Sequence, residues 1–287
     1  MKKSILLLFT YLISNIGFAQ SNKSELQFDT KYYDAVNKWV ALPAKDTDTI
    51  NYYGFIYIDQ QAGFTFDMGN TFKITENNKF IAKIPEKTNR MMYRIQPNWT
   101  EVAIIPEKKL SEMNLPSQPD WLKIYMKDSN SVSYLKNIGY FYNHVGASHN
   151  AIVPLQKGFE KDAQFEGLGF ELGFAYNATQ KFTEAIPILE KTLKYEPKNA
   201  LLYKELGFAL INTEQFERAE KIYSKGLTLS DSDFQKSEMA VNLAQTYFKL
   251  KNRSKFNKWA EITRKYAEKG SRFAQFIDYF EQNWDKK

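Results

Sequence analysis

The sequence predicts an α+β chain: an N-terminal antiparallel β-rich domain followed by an all-α superhelix of stacked helix hairpins. Three observations lead there. The stretch "ELGFAYNATQKFTEA" (171–185) is echoed 34 residues later by "ELGFALINTEQFERA" (205–219). Residues 20–118 have a different texture, rich in Tyr, Ile, Phe and Thr and broken by Gly and Asn turns. Ahead of both, residues 1–19 read as a leader. The 287 residues leave room for two domains, and 43% apolar with 16% aromatic content is enough to build their cores.

The leader, "MKKSILLLFTYLISNIGFA", starts with two lysines and continues with an apolar run from Ile5 that Thr10, Ser14 and Asn15 interrupt. Gly17 and Ala19 occupy the small-residue positions of a cleavage site, so a signal peptide cut before Gln20 is expected. The apolar run is shorter than the roughly 20 residues that span a bilayer. With no cysteine in the chain, neither a lipid-bearing cysteine nor a disulfide is available. The expectation is an exported protein, periplasmic or extracellular, with no stable membrane insertion after cleavage. Loss of Lys2 and Lys3 lowers the net charge from +6 to +4, and acidic residues alternate with the lysines throughout. Such a balance describes a solvated surface rather than a nucleic-acid-binding one.

In the 20–118 domain, strands are expected near 36–42, 52–59, 63–67, 71–75, 79–84, 91–96 and 101–105. "LPSQPD" (115–120) is the linker to an α-domain spanning 119–287, which a short helix opens after Pro119. The sheet carries no family signature, and short strands alone imply no function.

The echo continues upstream in "YLKNIGYFYNHVGASHNAIVPL" (134–155): Gly139, Gly173 and Gly207 lie 34 residues apart, as do Ala151, Ala185 and Ala219. In the first copy Leu135, Ile138 and Tyr142, then Ala151, Leu155 and Phe159, recur at helical spacing on either side of a polar turn. Each copy is thus a helix hairpin, and Gly and Ala are the small residues that let its two helices approach. The copies occupy about 132–165, 166–199 and 200–233. A degenerate fourth (237–270) follows three extra residues, with Leu243, Ala244 and Tyr247 on its first helix and Phe256 where Ala is expected. Residues 271–284 read as a helix closing the exposed end of the stack.

These residues resemble the tetratricopeptide repeat family, whose 34-residue unit carries Leu-Gly-x-x-Tyr on its first helix, Ala-x-x-x-aromatic on its second and Pro near its end. The middle copy matches at Leu172, Gly173, Tyr176, Ala185, Leu189 and Pro197. The next matches at Leu206, Gly207, Leu210, Ala219 and Tyr223, with Asp231 in place of the Pro. The family's early Trp is replaced by Leu135, Gly169 and Tyr203, and the first copy lacks the terminal Pro.

The resemblance implies a non-enzymatic scaffold whose concave face, lined by the first helices, takes an extended peptide or another protein's helix. The repeat phase puts Ser133, Lys136, Tyr140 and Asn143 on that face, then Gly167, Phe170, Phe174 and Asn177, then Leu201, Lys204, Phe208 and Ile211. The wall would be aromatic at its centre and amide-bearing at one rim, with Lys136, Tyr140, Asn143, Phe170, Phe174, Asn177, Lys204 and Phe208 as the partner-binding set. The family's carboxylate clamp is not expected, because Tyr140 stands where its Asn belongs and Glu171 would repel a carboxylate. The alternative is a groove filled by the protein's own sheet domain.

Signals for chemistry are weak. His144 and His149 fall at a helix–helix bend with no cysteine or acidic pair beside them, so no metal site is expected. "GLGFELG" (167–173) has the wrong spacing for a nucleotide loop and lies on a repeat helix. No G-x-S-x-G, H-E-x-x-H or P-loop occurs, and carboxylates such as Asp59 and Asp67 are placed as turn residues. No catalytic residue and no cofactor is expected. An enzyme site in the sheet domain and a structural oligomer subunit are the rival readings.

Overall fold

The computed structural model describes residues 26–44, 50–83 and 91–286; the leader lies outside them. Among these residues a 3-10 turn, Tyr32–Asp34, precedes six strands: β1 (Lys38–Ala41), β2 (Asn51–Asp59), β3 (Gly63–Ile74), β4 (Phe80–Ala82), β5 (Met91–Arg94) and β6 (Ala103–Ile104). They build one antiparallel sheet in the order β4-β3-β2-β1-β6, with β5 pairing the first half of β3 and β4 the second. The separate strands expected at 63–67 and 71–75 are one strand. Gly69 looks like a turn residue in sequence, yet an added Cβ there would come within 2.3 Å of the Tyr53 ring. The glycine admits that ring, and the strand runs on through a register shift opposite Tyr53 and Gly54.

Both sheet faces are buried. The alternating Tyr53, Phe55 and Tyr57 of β2 point to a core shared with Trp39, Phe72 and Phe80. Two short helices cover that core, α1 (Glu107–Glu112) and α2 (Leu122–Tyr125). Leu110, Met113 and Leu122 close it, and the Trp121 ring lies 5.0 Å from that of Tyr57. The indole N–H of Trp39 donates to the Pro116 carbonyl at 2.8 Å, which pins the linker to the sheet. The opposite face presents Val40, Ile56, Ile58, Phe64 and Phe66. Ile138, Phe141 and Tyr142 of the first repeat helix, with Val145 just after it, pack there.

The helical series follows as antiparallel pairs: α3 (Val132–His144) with α4 (Ser148–Lys161), α5 (Leu168–Ala178) with α6 (Phe182–Leu193), α7 (Ala200–Asn212) with α8 (Phe216–Leu229), and α9 (Asp233–Lys249) with α10 (Arg253–Tyr266). A final helix, α11 (Arg272–Gln282), packs on α9 and α10. One continuous apolar core runs from α4 to α11. Within each of the first three hairpins the glycine of the first helix meets a large residue of the second: Gly139 meets Leu155, Gly173 meets Leu189 and Gly207 meets Tyr223. At the far end Phe256 is fully buried, its ring 4.9 Å from that of Trp284, while Phe248 stacks on Phe280 at 4.8 Å. The closing helix thus covers the aromatic residue that breaks the repeat pattern. No helix among the described residues is long and apolar enough to cross a membrane.

Candidate functional site

Stacking the hairpins sets α3, α5, α7 and α9 side by side along one wall. Between α5, α7 and α9 the wall forms a pocket of about 350 Å³. Its lining is Phe174, Asn177 and Ala178 of α5, Lys204, Glu205 and Phe208 of α7, and Glu238 and Asn242 of α9. No described residue of the sheet lines it; the sheet face nearest the array is occupied by α3.

Four of the eight residues proposed from sequence meet in this pocket: Phe174, Asn177, Lys204 and Phe208. The other four do not line it. Tyr140 is exposed on α3, its ring stacked on that of His144 at 5.8 Å with the Lys136 ammonium 5.6 Å from the Tyr140 centroid. Phe170 is half-buried, 6.3 Å from the Phe174 ring. Phe208 remains 37% exposed although Phe182 approaches it edge-on at 5.8 Å, so its free face is open to the groove.

The amides expected at an open rim lie instead between successive first helices. Asn143 Nδ2 donates to the Glu171 backbone carbonyl at 3.0 Å and to its Oε2 at 2.8 Å. Asn177 repeats the arrangement one unit on, donating to the Glu205 carbonyl at 3.0 Å and Oε2 at 2.9 Å. All four partner atoms are acceptors, so each amide must present its nitrogen to them. Consequently the Oδ1 atoms of Asn143 and Asn177, both buried, find no hydrogen-bond donor among the described residues. An unmet buried acceptor costs about 1–3 kcal/mol.

Charge is arranged around these pairs. Burial pushes the Glu171 carboxyl above its ordinary pKa, against the opposing pull of the Asn143 amide and the Lys136 charge. Lys204 sits between two carboxylates, 3.4 Å from Glu205 Oε1 and 3.2 Å from Glu238 Oε2. Burial works against its charge, but the two carboxylates outweigh that and raise its pKa, so the ammonium persists at neutral pH. With two carboxylates against one ammonium, the pocket carries one net negative charge.

Sequence reasoning missed Glu205, Glu238 and Asn242. Glu205 is the first letter of the echoed Glu-Leu-Gly-Phe-Ala, so its recurrence was visible although its partner was not. Glu238 and Asn242 stand on α9, where the inserted residues shift the repeat phase, and no periodic signal marks them.

Elsewhere the side chains act structurally. His149 Nε2 lies 3.3 Å from Asp34 Oδ1 at the junction of sheet and repeats, and Asp59 Oδ1 accepts the backbone N–H groups of Gln61 and Ala62 in the β2–β3 turn. A second pocket of about 440 Å³ on the sheet, lined by Leu42, Tyr52, Phe66, Met68, Tyr93, Arg94, Gln96 and Trp99, is mainly apolar and contains no acid–base pair among the described residues.

Residues 176–235, from the end of α5 to the start of α9, match the tetratricopeptide repeat family. No functionally curated protein matches the chain. Solved structures similar to it include MamA, at 20% identity over 51% of this chain and 84% of that one with a TM-score of 0.46. MamA 41-end from Desulfovibrio magneticus RS-1 aligns at 19% identity over 57% of this chain and 84% of its own, with a TM-score of 0.44. TTC0263, a thermophilic TPR protein of Thermus thermophilus, aligns at 15% identity over 56% of this chain and 87% of its own, with a TM-score of 0.45. The family match covers residues 176–235, and the 34-residue period with its paired helices extends the same repeating arrangement to either side of them.

Proposed function

We propose that this protein is an exported, non-enzymatic scaffold that holds another polypeptide in the concave groove of its repeats. The observation that carries the reading is the open pocket between α5, α7 and α9, with the half-exposed rings of Phe174 and Phe208 in its wall and no described sheet residue lining it. Concave, mostly apolar surface with a few polar groups at fixed positions is the usual form of a binding site. Against the self-covered alternative, the described sheet face nearest the array packs on Ile138, Phe141 and Tyr142 of α3 and on Val145 just after it.

The test is the double substitution Phe174→Ala with Phe208→Ala. Full burial of such a ring contributes about 1.5–3 kcal/mol. These two are only partly buried, so the variant is expected to melt close to the wild type. It should nonetheless lose the peptides that the wild type retains from a library of short synthetic sequences. A variant that retains every such peptide places the binding site elsewhere. Export rests on the leader alone. N-terminal sequencing of protein recovered from the host is expected to begin at Gln20, and retention of Met1 on membrane-bound protein would overturn it.

A further inference from the structure

Which kind of polypeptide the groove accepts can be read from its charges and its aromatic wall, given the groove-binding function proposed above. Glu205 is buried and already engaged, by Asn177 through Oε2 and by Lys204 through Oε1. Glu238 is different: its side chain keeps 32% of its accessible surface, and the Lys204 contact at 3.2 Å engages only Oε2. The pocket therefore holds a carboxylate with an open side, a net negative charge behind it, and the Phe174 and Phe208 rings beside it.

A cationic side chain matches all of these features. An ammonium or guanidinium carries only donors, its charge is attracted by the pocket's net charge, and its alkyl stem and positive head both favour aromatic faces. A peptide carboxylate fails on both counts: it brings only acceptors, and it faces Glu238 and Glu205.

We propose that the pocket between α5, α7 and α9 receives a lysine or arginine side chain of the bound polypeptide, its charge against Glu238 and its stem along Phe174 and Phe208. The groove thus selects a basic segment.

The probe is a library of short peptides, acetylated and amidated so that neither terminus is charged. It is panned against the full chain and the retained sequences are measured by fluorescence anisotropy. Retained peptides are expected to fix Lys or Arg at one position and to weaken as salt is raised. Glu238→Gln, which keeps the shape and removes the charge, should weaken them about tenfold or more, the loss of one charge-assisted hydrogen bond. The salt series needs no variant, and a thermal melt of Glu238→Gln shows that its fold is intact. Peptides that require Phe174 and Phe208 but carry acidic or no preferred charge would overturn the cationic assignment and leave the groove function standing. Cationic binders indifferent to Glu238→Gln would overturn it equally. If no retained peptide depends on the two rings, the groove function and this assignment fall together.

Discussion

A Cβ added at Gly207 would lie 2.0 Å from Cε1 of Tyr223, a ring with no solvent exposure whose hydroxyl oxygen accepts from Asn242 Nδ2 at 3.3 Å. The ring is enclosed and tethered, so the added methyl has to push the helices apart. We expect Gly207→Ala to destabilise the protein by about 1–3 kcal/mol from overpacking, opposed by a gain of up to about 1 kcal/mol in helix propensity. A urea denaturation midpoint lower than wild type is the expected outcome, and an unchanged or raised midpoint would refute the close crossing. The neighbouring letters of the same echo have other tasks. Leu172 and Leu206, like Ala175 and Ala209, fill the core, while Phe174 and Phe208 face the groove. Leucine, glycine, phenylalanine and alanine were legible because a helical period assigns each a face. The glutamate was not, because its role depends on an asparagine 28 residues earlier on another helix, and no local pattern links the two.

At the scale of elements, the hairpin turns show the period again in the backbone. Gly146, Gln180 and Glu214 follow the first helices of the first three repeats with φ of 78°, 60° and 58°, and Lys251 does so in the fourth with 54°. The residue after each returns an N–H to the same helical position: Ala147 to Tyr142, Lys181 to Tyr176, Gln215 to Leu210 and Asn252 to Tyr247. This is the hydrogen bond that closes a helix through a left-handed residue. Only the first turn uses glycine there, so the sequence advertised one stop in four. The helices were legible regardless, since amphipathic runs of eleven or more residues carry several turns of periodic signal. The sheet was less so: α1 spans six residues and β6 two, too few for any period, and Gly69 mimics a turn inside β3.

Seen as a whole molecule, the array has both ends sealed and its middle open. The closing helix α11 seals one end with Phe280 and the sheet seals the other. At that second seal the Tyr142 ring meets Phe64 edge-on at 5.3 Å, and burial pushes its hydroxyl pKa up to about 12. Phe141 lies against the β2–β3 turn at Gly63, and Asn150 Nδ2 donates to Asp34 Oδ1 at 2.8 Å and to the Tyr33 carbonyl at 3.2 Å. In a repeat array each unit gains stability from its immediate neighbours, so a defect at this seal should stay local. Removing a core aromatic costs about 3–5 kcal/mol, and Tyr142 is only partly buried, so Tyr142→Ala is expected to cost about 2–3 kcal/mol. Hydrogen exchange should accelerate in β3, in the β2–β3 turn and in α3 and α4, and stay at wild-type rates in α9, α10 and α11. Peptide binding should survive, because the pocket between α5, α7 and α9 takes no lining residue from the described part of the sheet or from α3. Uniform acceleration along the chain would mean that sheet and repeats unfold as one unit. Loss of binding in Tyr142→Ala with exchange in α5 and α7 unchanged would mean that the sheet contributes directly to the groove, and the division into a sealing sheet and a binding array would then be wrong.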